Sequence, residues 1–501
     1  MPALLDLPVE ILHAIVLELN GSDRKSLRST CNGLSTVVEP FLFSEITINT
    51  HCSVLETVSL PFCKALALSP SEDGVVKDER TLSTYVRTLS VQDRALCTGD
   101  DNASQEMLDV WQGVFTSALS SLVNLGTFRW EMSKNSPSWM YAQVPEIVSR
   151  LPLLSEFFLV GKSIRLDYLR NLRTVVIDGI FLAGESVTGD VNPPSIRLDY
   201  LRNLRTLIID GIQLPEATFS QTILGPLSTA LLNSPDLQTL HVRAPFQHST
   251  SFSFSDVFRG ILDTKGASVL NIKTLVVEQI AMDVPAVMIP HLQCLSSLEV
   301  HTGGQDMEVG NFWDVLRAAS VSLEVLKVYG DIDRTLLDYI SHCHSRLKVL
   351  RLSGAARKAT DEISNELADN ELADLFFDSV LPEFTQSLRE LRIGSSYKGR
   401  WCLGPHNVDM FSRCSNLETL SVCFNGKEGI VNMIDDIVNR AYSLPKLKSL
   451  HLGMTTATWG RGDRCGIESL EYRSEIRSAY RDAFKNLQPT EAQDARRVPA
   501  V

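Results

Sequence analysis

The 501-residue chain has no run of about 18 or more apolar residues, so it offers no candidate membrane-spanning helix. Basic residues are outnumbered, 47 Lys and Arg against 60 Asp and Glu. The resulting formal charge of -13 argues against a general nucleic-acid binder, which presents a basic surface. The N-terminus lacks a basic leader, and Glu10, His13 and Glu18 interrupt its apolar run, so it does not read as a signal peptide. Cysteines are not clustered: ten are scattered along the length, the usage expected in a reducing compartment, cytoplasmic or nuclear. Nor is there a G-x-S-x-G elbow, a Walker loop, a dinucleotide fingerprint or an H-E-x-x-H pair. His342-Cys343-His344 brings three metal-ligand types together, but adjacent residues on a helix point in different directions. Cys402, His406 and Cys414 are too loosely spaced to do better. No metal, no cofactor and no catalytic residue is expected. The isolated cysteines, Cys31 included, are read as small core residues.

What is present begins with LLDLPVEILHAIVLEL, Leu4 to Leu19. As a helix from about Pro8 it places Ile11, Ile15 and Leu19 on one row and Leu12 and Val16 on the next. Pro8 suits the first helical position, Asp6 is placed to accept backbone donors there, and Glu10 sits where the dipole favours an anion. Asn20 to Asp23 breaks the helix. Ser22 or Asp23 is expected to cap a second one bearing Leu27, Cys31 and Leu34, and a third short segment carries Val37 and Val38 up to Glu39-Pro40. Three helices in so few residues cannot hide all these side chains, so an apolar surface is expected to remain open to a partner.

From about Thr81 a second pattern runs on, L-x-x-L-x-L with aliphatic or aromatic substitutes. Clear copies are Leu237–Val242, Ile272–Val277, Leu323–Val328, Leu347–Leu352, Leu388–Ile393, Leu417–Val422 and Leu447–Leu452. Less regular ones lie at Val86–Val91, Leu125–Trp130, Leu154–Leu159 and Leu295–Val300. They recur at roughly 23 to 41 residues, the range of helix-containing leucine-rich repeats. Helix-like stretches lie between them, such as Phe312–Ala319, Leu336–His342, Glu371–Val380 and Ile430–Ala441. No unit of this kind buries its own apolar face; stacking neighbours does. The pattern therefore predicts an α/β solenoid, a curved parallel sheet with strands on the concave side and helices on the convex side.

Ser163–Ile180 returns as Ser195–Ile212 with changes only at Val175/Leu207 and Val176/Ile208. The offset of 32 residues is about one repeat, whereas Leu154 precedes the first copy's strand too closely for a full unit, so the region Leu154–Ile180 is expected to be irregular. A duplication without functional meaning is an equal reading of the repeat. The polar acidic stretch Ser69–Arg80 reads as an exposed loop. Ile467–Leu487 reads as a helix capping the last repeat, ahead of a disordered end.

Leu7-Pro8-Val9-Glu10-Ile11-Leu12, Ile15, Leu27, Cys31, Leu34 and the closing Pro40-Phe41-Leu42-Phe43-Ser44-Glu45-Ile46 resemble an F-box, from about Ala3 to Ile48. Two departures are Gly33-Leu34, where an aromatic is often found, and Thr30 at a usually apolar position. The resemblance implies a three-helix F-box at residues 1–48; the repeat pattern then gives a linker at 49–81, a leucine-rich-repeat-like solenoid at 82–455, and a capping helix and tail at 456–501. It also implies that Leu7, Pro8, Ile11, Leu12, Ile15, Leu27, Cys31 and Leu34 contact a Skp-family adaptor, and through it a cullin–RING ubiquitin ligase core. The solenoid would then hold an unknown substrate protein, and the chain itself would be no enzyme. A scaffold that binds the adaptor without recruiting a cullin is the alternative.

Strand side chains alternate, so the residue between the last two aliphatics of each copy points to the concave face. That column reads His241, Val276, Glu299, Lys327, Arg351, Arg392, Ser421 and His451. Solvated charge is the plain reading. The sharper one takes Lys327, Arg351 and Arg392, with His451, as a site for an acidic or phosphorylated segment of the substrate.

Overall fold

The structure, a computed structural model, describes residues 4–51, 54–67, 81–92, 105–133, 136–161, 166, 169, 171–179, 197–212, 214, 216–245, 252–302, 309–343, 346–354, 362–395, 399–425, 430–455, 478 and 481. The Ser69–Arg80 loop, His344, the capping helix and tail, and the two ends of the first duplicated segment lie outside the described residues. The chain forms two compact units: Met1–Leu237 with Val257–Ser268, and Gln238–Asp256 with Val269–Val501.

In the first unit, α1 (Val9–Glu18), α2 (Gly21–Arg28) and α3 (Asn32–Leu42) precede six strands. These are β1 (Glu45–Asn49), β2 (Thr88–Gln92), β3 (Thr127–Glu131), β4 (Glu156–Val160), β5 (Thr174–Asp178) and β6 (Thr206–Asp210). Each pairs with the next in parallel and in register. The second unit holds β7 (Thr239–Arg243), β8 (Thr274–Glu278), β9 (Ser297–His301), β10 (Val325–Tyr329), β11 (Val349–Ser353), β12 (Glu390–Gly394), β13 (Thr419–Asn425) and β14 (Ser449–Thr455), again parallel and sequential. Helical segments link the strands, among them Phe312–Ala318, Arg334–His342, Glu362–Leu375 and Ile430–Ser443. The α/β leucine-rich-repeat-like solenoid predicted by the repeat is the fold.

In every five-residue strand the second and fourth residues are buried, because parallel strands with one covered face alternate. The rows thus formed, such as Leu326, Leu350 and Leu391, are buried, as are Leu336, Leu337 and Ile340 on the connecting helix Arg334–His342. Aromatic residues fill the first unit's core, where Trp111, Phe115, Phe128, Trp130 and Phe157 are fully buried.

Four expectations change. The sheet begins at Glu45, not near residue 82: Ile46 and Ile48 of β1 are buried, and Leu60–Ala67 is a helix with Leu60, Cys63 and Leu66 inside. A five-residue alternation without the leading L-x-x was too short a signal. Next, β4 and β5 stay in register although their link is short. Leu166, Leu169 and Leu172 are buried, as Leu198, Leu201 and Leu204 are in the second copy. The cap of α2 is Asn20, whose Oδ1 accepts from the amides of Ser22 (2.9 Å) and Asp23 (3.0 Å). Finally, α3 runs through Pro40 to Leu42. The imide removes one donor only, and only two residues follow it in the helix.

Gly179 and Gly211, equivalent in the two copies, both have left-handed φ (66° and 63°), and a Cβ at Gly211 would lie 2.5 Å from Asp178 Oδ1. Gly211→Ala should destabilise the chain by about 1–2 kcal/mol or more, read as a fall in the urea midpoint; an unchanged midpoint would contradict this strain.

Candidate functional site

The first candidate is the outer side of the N-terminal helices. Leu12 and Val16 of α1 are buried with Leu34 and Val38 of α3. At the end of α1, Arg24 Nε donates to the Val16 carbonyl (2.9 Å) and its Nη2 to the Leu17 carbonyl (3.0 Å), satisfying acceptors that a helix C-terminus leaves open. His13 meets Phe41 edge to face at 5.0 Å, and Arg28 lies over the Phe43 ring while pairing with Glu39 at 3.2 Å.

With the inward row spent, the other row stands open. Ile11 is 49% exposed and Ile15 38%, and Leu4, Leu5, Val9 and Leu17 are exposed as well. Pro8 is exposed and Leu7 half-buried. Leu12 and Leu34 are corrected: both belong to the packing of the helices themselves and are not available to a partner. Leu27 is half-buried. Cys31 is corrected too, since it is exposed at the start of α3 rather than a core residue. At the two departures, Leu5 lies so close to Gly33 that a Cβ there would be 3.1 Å from its Cδ1, and the Thr30 hydroxyl donates to the Leu27 carbonyl at 2.7 Å. Leu4 and Leu5 were not read as part of this surface, because they precede the helical period that marked the others.

The second candidate is the open face of β7–β14. The predicted column is in register throughout: His241, Val276, Glu299, Lys327, Arg351, Arg392, Ser421 and His451 are successive neighbours. Its cations do not form an open basic patch, however. Lys327 Nζ pairs with Glu299 at 2.8 Å, and Glu390 receives Arg351 at 2.7 Å and Arg392 at 2.5 Å. His451, exposed, shares a 2.8 Å hydrogen bond with Ser449. An anionic ligand would have to displace these carboxylates. Glu390 occupies the first position of β12, which shares a face with the third, so the pairing was implicit in the strand period.

Glu299 is the most constrained of these acids. The His301 hydrogen bond (2.8 Å), against burial and with the help of Lys327, holds its carboxyl down to about 2. In Glu390 burial pushes the carboxyl up, and the hydrogen bond from Arg351, then that from Arg392, outweighs it and lowers it. His301 stacks on Tyr329 at 4.2 Å, and Glu278 pairs with Arg243 at 3.0 Å within reach of His241 and His301. Away from this face, burial pushes the thiols of Cys402 and Cys414 up to about 11, which disfavours a metal-binding thiolate.

A third group was missed. In β4–β6 the outward third positions are Phe158, Val176 and Ile208, in register and half-buried, with the Arg129 guanidinium 4.8 Å above the Phe158 ring. The signal was present: EFFLV, TVVID and TLIID are continuous apolar runs rather than alternating ones.

The sheet and its helical connections define the class, a leucine-rich-repeat-like α/β solenoid preceded by three short helices. No protein-family model matches the chain, and no curated protein matches it. Among solved structures it is similar to one described as the crystal structure of Rad7 and Elc1 complex in yeast, with 12% sequence identity, 92% of this chain and 94% of that chain covered, and a TM-score of 0.30. That likeness carries no argument about partners. Among the described residues no helix is long and apolar enough to cross a membrane.

A carboxyl held below its ordinary 4.5 contributes stability above that value and loses it as pH falls toward about 2. Glu299→Gln should therefore lower the melting temperature at pH 7, and the gap to wild type should shrink between pH 4.5 and 2. A gap independent of pH would refute the pairing with His301 and Lys327.

Proposed function

We propose that this chain is the substrate-recognition subunit of a Skp–cullin–F-box ubiquitin ligase. The N-terminal helices bind a Skp-family adaptor, and the solenoid binds the protein to be modified. The observation that supports this best is the uncovered apolar side of α1, with Ile11 and Ile15 open while Leu12 and Val16 do the internal packing. The F-box resemblance of residues 3–48 names the partner that such a surface fits. The chain then does no bond chemistry. It raises the effective concentration of a target beside the ubiquitin-charged enzyme held by the complex.

Desolvating two isoleucines that are each about half open contributes about 3 kcal/mol in sum, roughly a hundredfold in affinity. Ile11→Ala with Ile15→Ala should therefore abolish co-purification of the adaptor while leaving the melting temperature nearly unchanged. Leu12→Ala instead should cost about 2–4 kcal/mol of fold stability. Undiminished adaptor on the Ile11/Ile15 variant would refute this docking surface. A cullin in the wild-type complex supports the ligase, and adaptor without cullin would make the chain a non-ligase scaffold.

A further inference from the structure

After β12 ends at Gly394, the chain returns to the sheet at Leu403, which forms a parallel bridge with Phe424 of β13. The Leu403 amide donates to the Cys423 carbonyl at 2.7 Å, so the pair one step earlier, Cys402 and Cys423, stands side by side in the same register. Neighbouring strands run about 4.8 Å apart, inside the Cα separation of about 4.4–6.8 Å that a disulfide spans. Both residues are thiols. Burial pushes the Cys402 thiol up to about 11, and the nearby Cys423 adds to that rise. Among the described cysteines no other two are register neighbours.

The two thiols differ in access. Cys402 is 1% exposed and shares a hydrogen bond with the Ser395 side chain. Cys423 is half-buried at the fifth position of β13, two residues beyond Ser421 on the open face. Its neighbour on the other side is Gly453 of β14, where a Cβ would lie 3.0 Å from the Cys423 sulfur. The glycine therefore leaves that sulfur room to turn between staggered rotamers, from Gly453 toward Cys402. A buried thiol held protonated does not react with a dissolved oxidant by itself, whereas one within reach of solvent does.

We propose that Cys402 and Cys423 form a peroxide-driven redox switch, in which an intramolecular disulfide clamps segment 399–403 to β13. The Cys423 sulfur, as thiolate, attacks one oxygen of hydrogen peroxide, the O–O bond breaks, and the departing hydroxide takes up the thiol's proton as water. The Cys402 sulfur then attacks the resulting sulfenic sulfur, the S–O bond breaks, and the Cys402 proton leaves with the hydroxyl as a second water. Two electrons pass from the thiols to the peroxide, so two thiols and one peroxide give one disulfide and two waters. Two molecules of glutathione reverse the bond by thiol–disulfide exchange and are themselves oxidised to the disulfide. Arg392, Ser421 and His451 are successive neighbours across β12, β13 and β14, and Ser421 precedes Cys423 on the same face, so the clamp fixes that end of the open face. The switch goes beyond the ligase reading and does not depend on it.

The test is to titrate the full-length chain with hydrogen peroxide, alkylate the remaining thiols, digest with trypsin and map the linkages by mass spectrometry. The expected product joins peptides 401–413 and 414–427, is two hydrogens lighter than their sum, and disappears on adding glutathione. Peptide 414–427 also holds the buried Cys414, so C414S should keep the link and C423S should abolish it. Fragmentation of the wild-type product assigns the same bond without a variant. Amides of residues 400–404 should exchange with deuterium about tenfold or more slowly in the oxidised chain, because the closed loop opens less often. Peroxide that modifies the exposed Cys31 and Cys294 while leaving Cys402 and Cys423 unlinked would overturn the proposal. So would a link that persists in C423S, which would make Cys414 the partner, or a link that forms with exchange unchanged.

Discussion

Burial of one unit's aliphatic row by the rows of its neighbours is the constraint from which the rest follows. A five-residue strand with two inward side chains has no core of its own. Its stability comes from register, and the backbone enforces that register at the strand entries. The amides of Lys348, Arg389, Glu418 and Lys448 donate to the carbonyls of Glu324, Lys348, Arg389 and Glu418, at 2.7–2.8 Å. A slip of one residue would turn the inward leucines outward and the charged column inward, which the burial difference forbids.

Once the inward rows are fixed, the outward rows are free to vary, and the two units use that freedom differently. In the second unit the open face is charged but self-satisfied, with Glu299 and Glu390 each bridging two cationic or imidazole neighbours. In the first unit, β4–β6 present Phe158, Val176 and Ile208. A face that neutralises itself gives little to a charged ligand, because binding must first break its own pairs.

The N-terminal helices obey the same economy at smaller scale. Leu12, Val16, Leu34 and Val38 are what three short helices can bury between them, and Ile11 and Ile15 remain outside. Arg24 closes the end of α1 with its guanidinium, Asn20 starts α2, and Glu39 of α3, which also accepts from Ser35 one turn earlier in the same helix, joins α3 to Arg28 of α2. These polar ties hold the helices in place without enlarging the core, so the apolar side of α1 stays open.

The sequence by itself determined the repeating unit, the inward aliphatics of each strand, the column His241 to His451 and the helical row of Ile11 and Ile15, because periods of 2 and 3.6 are local properties of the chain. It could not say which of the two apolar rows of α1 turns inward, since that depends on where α3 crosses it. Nor could it show that β1 opens the sheet, that β4 and β5 join across a short link, or that Lys327 and Arg351 are already paired. Those outcomes depend on neighbours in space rather than in sequence. Glu390 reaches Arg351 from a strand 39 residues away, and only stacking of the units brings such groups within hydrogen-bonding distance.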